Sequence, residues 1–209
     1  MKQKIFAGAL SVLVLAGALS NATLAAEPSP DGPSTPPVLI SAPIAPQPET
    51  EVTRAAVISR LWELSGKPVV NYLLPFEDVA GGTEQAEAIR WAASEKIANG
   101  YDNGLFGAED SVTREQLAAF VYRYVQKFDM GFHGAWMFLM PYSDRAEVGE
   151  WAFEPVQWMV SSKLFDPDME KLEPQKAVTA EEADIFFAAL SALAEEKNID
   201  FAQYGKAGK

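Results

Sequence analysis

Val112-Thr113-Arg114-Glu115-Gln116-Leu117 is the stretch from which the rest of the chain can be read. Thr113 is placed as a helix N-cap, and Leu117, Phe120, Val121, Tyr124, Val125 and Phe128 follow at spacings of a single apolar helix face. The same opening stands at Val52-Thr53-Arg54, ahead of Val57, Ile58, Leu61 and Trp62, with Gly66 and Pro68 as stop signals. A worn third copy, Val178-Thr179-Ala180, leads into Ile185, Phe186, Ala189, Leu190 and Leu193, with Glu182 at the reciprocal capping position. Between these openings a second block recurs. Pro75-Phe76-Glu77-Asp78 and Pro141-Tyr142-Ser143-Asp144 each precede a Trp-bearing helix, expected near Glu84–Ile97 and Glu147–Ser162. Copies about sixty residues apart point to stacked units that bury their apolar faces on one another. Strand-like alternation is poor, so the fold class is mainly α. Such an architecture favours a binding surface over one catalytic pocket.

The first residues have the composition of a secretory signal: basic Lys2 and Lys4, an apolar run from Ile5 to Leu19, and small residues through Ala25-Ala26. Residues 1–26 are therefore expected to be removed, giving a secreted chain with no membrane association after cleavage. The 209-residue sequence has a net charge of −12, and losing both lysines takes it to −14. An acidic balance of this size argues against nucleic acid and anionic lipid as partners. Cys is absent and His133 is the only His, so no thiolate chemistry and no His/Cys zinc site can be built. The run Asp166-x-Asp168-x-Glu170 lacks the Gly and closing Glu of a calcium loop, and no cofactor is expected. No nucleophile constellation is present, which argues against an enzyme.

Residues 27–50 hold eight of the fourteen prolines and read as an extended, disordered linker. Within it, Val38-Leu39-Ile40 and Ile44 form an apolar cluster suited to covering a flank of the folded part. Gly100-Tyr101-Asp102-Asn103-Gly104-Leu105-Phe106 reads as a tight turn in which Gly104 takes a positive φ. The stretch 132–140, with Trp136, Met137, Phe138, Leu139 and Met140, is the most apolar connection; it is either a buried insert or a protein contact.

The order Phe76-Glu77-Asp78-Val79, Trp91, Gly100 to Phe106 and Thr113-Arg114 resembles the S-layer homology domain. The resemblance implies a pseudo-threefold bundle of helix–loop–helix repeats, with grooves that hold bacterial proteins on secondary cell-wall polysaccharides, often pyruvylated. On this reading 51–75 is a partial first repeat, 76–140 a repeat, 141–201 a degenerate repeat and 202–209 a tail. The departures are specific. The first repeat lacks its Asp-Val half, Glu84 stands where the family usually has Trp (a place Trp151 fills in the third repeat), and Ala180 replaces Arg.

The resemblance marks Arg54 and Arg114 as glycan contacts. A guanidinium matches a sugar-borne carboxylate with two parallel donors, and a cation in a helix's first turn is otherwise slightly unfavourable. Arg114, inside a complete repeat, is expected to matter more than Arg54. Asp78 and Asp144 either orient the arginines and accept sugar hydroxyls or bond their own turns. Trp91 and Trp151 either stack on sugar or pack in the core. Gly100 and Gly104 either allow close approach of a ligand or serve the turn. The expected function is non-catalytic attachment to an anionic cell-wall polysaccharide at the cell surface. The alternative is a protein–protein interaction module at the envelope, whose partner binds the Pro-rich segment or residues 132–140.

Overall fold

The computed structural model describes residues 50–133 and 140–206. The chain divides into units 1–45 and 46–209, and all described residues belong to the second. The signal segment, the linker through Glu49 with its apolar cluster, and residues 134–139 and 207–209 lie outside the described residues.

The fold is mainly helical. Five α-helices follow in order: α1 (Arg54–Leu64), α2 (Glu84–Ser94), α3 (Arg114–Gln126), α4 (Phe153–Ser161) and α5 (Ala180–Glu196). Short 3-10 turns occupy Arg145–Glu147, Glu150–Ala152 and Phe201–Lys206. The expected capping threonines are all in place. Thr53, Thr113 and Thr179 are extended and accept from the backbone N–H of Ala56, Gln116 and Glu182, and the last two form full capping boxes. Thr83 caps α2 in the same way.

What joins the copies is a closed ring of backbone hydrogen bonds. Val52 N–H donates to the Val178 carbonyl, Val178 N–H to Val112, and Val112 N–H back to Val52, each at 2.9 Å. Isolated antiparallel bridges link Glu51 to Thr179, Thr53 to Ser111 and Thr113 to Ala177. A second tier repeats the cycle one step outward: Arg54 N–H to Asp110, Arg114 N–H to Lys176, and Ala180 N–H to Thr50. Three short extended segments thus meet in a triangle, and a helix leaves from each.

The helices are not equally covered. α1 packs on α2 and α3 on α4, whereas α5 makes no comparable helix contact. The second, fifth and ninth residues after each capping Thr show why the structure tolerates this. On α1 they are buried Ala55, Ile58 and Trp62, and on α3 buried Glu115, Ala118 and Tyr122. On α5 they are Glu181, Asp184 and Ala188, all exposed. At these positions α5 therefore turns two carboxylates and a small residue to solvent, and the apolar segment expected to cover a flank lies outside the described residues.

One expectation needs correction. The helix expected over 147–162 begins only at Phe153, because Gly149 and the 3-10 turn Glu150–Ala152 precede it and Ala152 supplies no side-chain cap. Of the segment 202–209, assigned to a tail, Tyr204 packs 5.4 Å from Phe128. Phe201 stacks 4.7 Å from Phe128 and 5.1 Å from Tyr124, and the Tyr204 hydroxyl donates to Glu95, which also pairs with Lys127. Of the apolar stretch 132–140, Met140 is buried and Phe132 packs against the core.

All five helices close alike, with a bond from i to i−5: Lys67 to Trp62, Ile97 to Ala92, Met130 to Val125, Leu164 to Met159 and Ile199 to Ala194. Only α1 uses glycine (Gly66, φ 75°) at the left-handed position; α2 to α5 place Lys96, Asp129, Lys163 and Asn198 there. A side chain at such φ is strained by roughly 1 kcal/mol. Lys96→Gly should therefore raise stability by about 1 kcal/mol in urea titration. No gain would show that the Lys96 side chain compensates its own strain.

Candidate functional site

Arg54 and Arg114 each project over a loop, 52 and 58 positions further along the chain. Arg54 is 3% exposed; its Nε donates to the Phe106 carbonyl at 3.0 Å and its Nη2 to Asn99 at 3.0 Å. The guanidinium carbon lies 4.6 Å from the Tyr101 ring centroid, 5.0 Å from Phe106 and 5.1 Å from Phe120. Burial lowers its pKa, a pull countered by Tyr101, Asp110 and Asp78, yet no carboxylate hydrogen-bonds it among the described residues. Tyr101, which forms one wall, is 39% exposed.

Arg114 occupies the matching place in the next unit with different company. Its Nη1 donates to the Leu172 carbonyl at 2.6 Å and to Glu173 at 3.3 Å, and its Nη2 to Glu182 at 2.5 Å. Two carboxylates have taken the role that rings fill around Arg54. The sequence pointed to Glu182 only as a capping residue, and nothing local marks it as the partner of an arginine sixty-eight positions away.

Asp78 and Asp144 staple the loops, each holding backbone N–H groups 28 and 29 positions further along rather than in its own turn. Asp78 accepts from Phe106 and Gly107 N–H at 2.8 and 2.7 Å; Asp144 accepts from Leu172 and Glu173 at 2.9 and 2.7 Å. Gly107 and Glu173 both sit at positive φ, 69° and 52°, so the two loops end in the same bend. Burial pushes both carboxyls up, but the backbone donors outweigh it and hold each below the usual range.

Trp91 is fully buried, edge-on to Tyr124 at 6.2 Å, so sugar stacking is closed to it. Trp151 is half exposed and lies across Gly149, where a Cβ would come within 2.6 Å of its Nε1. Gly100 serves packing: a Cβ there would strike Phe76 and the Leu105 carbonyl at 2.5 Å. Gly104 serves the turn at φ 83°. Residues that sequence reading missed are Tyr101, Phe106 and Phe120 as the box around Arg54, and Glu115, whose buried carboxylate holds Gly149 N–H and Gln175.

Residues 75–118, which contain the Asp78 staple, the Gly100–Phe106 loop and the Thr113 cap, match the family model of the S-layer homology domain. Residues 75–118 carry the S-layer homology signature. S-layer homology domains are in general cell-wall-binding modules, so the match supports a role in surface attachment. No curated protein matches it.

The staples carry a pH signature. A carboxyl held low in the folded state is protonated first in the unfolded chain as pH falls. Its contribution is complete above the usual carboxylate pKa near 4 and is lost as pH drops through the folded value. Asp78, Asp144 and Glu182 all shift in this direction. Stability should fall below about pH 4, and Asp144→Asn should flatten that dependence. Asp144→Ala, which strands two backbone donors, should cost about 1–3 kcal/mol at pH 7. An equally steep acid limb in Asp144→Asn would discard the linkage.

Proposed function

We propose that the chain is secreted and attaches to the wall by gripping an anionic, carboxylate-bearing polysaccharide at Arg54. One observation carries this reading: the Arg54 guanidinium sits inside an aromatic box of the matched domain without a hydrogen-bonded carboxylate, whereas Arg114 is neutralised by Glu173 and Glu182. A sugar carboxylate entering beside Tyr101 would supply the directly bonded carboxylate that Arg54 lacks, in a partly dry setting where a charge-assisted pair is strong. Trp151, exposed on the neighbouring repeat, is available to a sugar ring. This reading ranks the two arginines opposite to the sequence expectation.

The acidic chain repels an anionic polymer at long range, so binding rests on local contact, which salt screens weakly. In co-sedimentation with purified walls, Arg54→Lys, which keeps charge but loses the planar donor pair, should weaken binding at least about tenfold, or roughly 1.4 kcal/mol. Arg114→Lys should change it less than about threefold, its charge being already matched. Removing pyruvate from the polymer should erase the difference between them. Equal losses in the two variants, with both still folded, would reject Arg54 as the contact.

A further inference from the structure

The groove around Arg114 differs from its counterpart around Arg54 in a way that opens it. Matching hydrogen bonds fix the correspondence: Ile97 to Ala92 parallels Leu164 to Met159, and the Asp78 staple on Phe106 parallels the Asp144 staple on Leu172. Counting along the helices then pairs Phe120 with Phe186 and Arg123 with Ala189. In the first groove Arg123 lies half-buried with Nη1 on the Ile97 carbonyl at 3.4 Å, and Tyr101 lies over Arg54. In the second, Ala189 replaces the Arg123 side chain and, among the described residues, no ring lies over the Arg114 guanidinium as Tyr101 does over Arg54.

The space so vacated is a groove of about 640 Å³, a size usual for ligand sites. Its walls include Leu117, Leu164, Leu172, Phe186 and the unusually exposed Ile185 (65%) and Met169 (37%). The rim is charged. With Arg114 tied to Glu182, Lys163 stands against Asp166 and Asp168, leaving the mouth acidic on an acidic chain. Apolar walls of branched aliphatic residues offer little to a sugar, and an acidic mouth disfavours an anionic polymer or lipid headgroup.

We propose that the Arg114 groove docks an extended segment of a partner protein, seating two apolar side chains on the Leu–Ile–Phe walls and a flanking lysine or arginine against Asp166 and Asp168. This activity is separate from wall attachment at Arg54 and uses the degenerate repeat.

The test titrates the full chain calorimetrically with three synthetic decapeptides: a Leu-x-Leu core flanked by lysines, the same core flanked by glutamates, and the lysine-flanked form with both leucines changed to serine. The lysine-flanked peptide should bind at least tenfold more tightly than the other two. Ala189→Arg, which restores the plug found in the first groove, should weaken that binding at least tenfold while wall co-sedimentation stays as in the parent. Ile185→Ser, at an exposed position, should weaken peptide binding several-fold and keeps the test valid if Ala189→Arg disturbs α5. Equal affinity for the three peptides, no binding of the lysine-flanked one, or unaltered binding in both variants would overturn the proposal. So would loss of wall binding in a folded Ala189→Arg chain, which would give the groove to the glycan.

Discussion

Three backbone hydrogen bonds, passed cyclically among Val52, Val178 and Val112, are the constraint on which the remaining structure depends. Each valine both donates and accepts, so no segment can shift without breaking its bonds to both others. The pairing also fixes facing, because a one-residue slip in an extended segment turns each side chain to the opposite side. With the valines turned toward the core, the threonines that follow are left to cap their helices. The next residue, the arginine, is delivered over the loop of the neighbouring unit. Helix start, cap and arginine position follow from one register.

The ring closes although only two of the described helices, α2 and α4, follow a Pro-x-x-Asp block. A threefold junction needs three extended segments, and three are present; the outer helices are secondary to closure. Where α1 and α3 present buried residues to a neighbour, α5 presents Glu181, Asp184 and Ala188 to solvent. Asp184 also meets Arg60 of α1 at 2.6 Å, but with Asp184 mostly exposed that pair adds little to stability. On another side of the fold the carboxyl-terminal Phe201 and Tyr204 seal Tyr124 and Phe128. Among the described residues no other helix covers α5 as α2 covers α1, and the surface character of α5 differs accordingly.

Features decided within a few residues were legible in the sequence: the Thr caps, the Glu182 capping box, the Gly66 stop and the Gly104 turn. The delayed start of α4 was harder to read, since apolar spacing runs through Trp151 while the backbone there is still in a 3-10 turn. Features decided across the ring were not legible. Whether an arginine meets rings or carboxylates depends on which loop the junction brings beneath it, and that loop is encoded some fifty residues away. The same holds for the tryptophans. Trp158 donates to the Met130 carbonyl at 2.7 Å, while Trp91, its counterpart, has no such partner among the described residues. Equal motifs sit in unequal surroundings, because the residues they touch belong to different copies.

The helix α3 gives this divergence its consequence. Its first turn carries Arg114 and Leu117 into one groove, while Phe120 reaches the Arg54 box and Arg123 the Ile97 carbonyl of the other. One helix is therefore a wall of both sites. It is also among the most buried elements, with Leu117 through Tyr122, Tyr124 and Val125 all in the core. A densely packed element of this kind resists small displacements, since interiors have few voids into which it could move. Occupancy of one groove then has no soft path by which to deform the other. A charged, ring-lined groove and an open apolar one can share this helix because their differences reside in the residues opposite it: Tyr101 with Phe106 on one side, and Glu182 with Ala189 on the other. Sequence change in α5 can thus remodel the Arg114 groove while leaving the shared wall, and with it the surroundings of Arg54, in place.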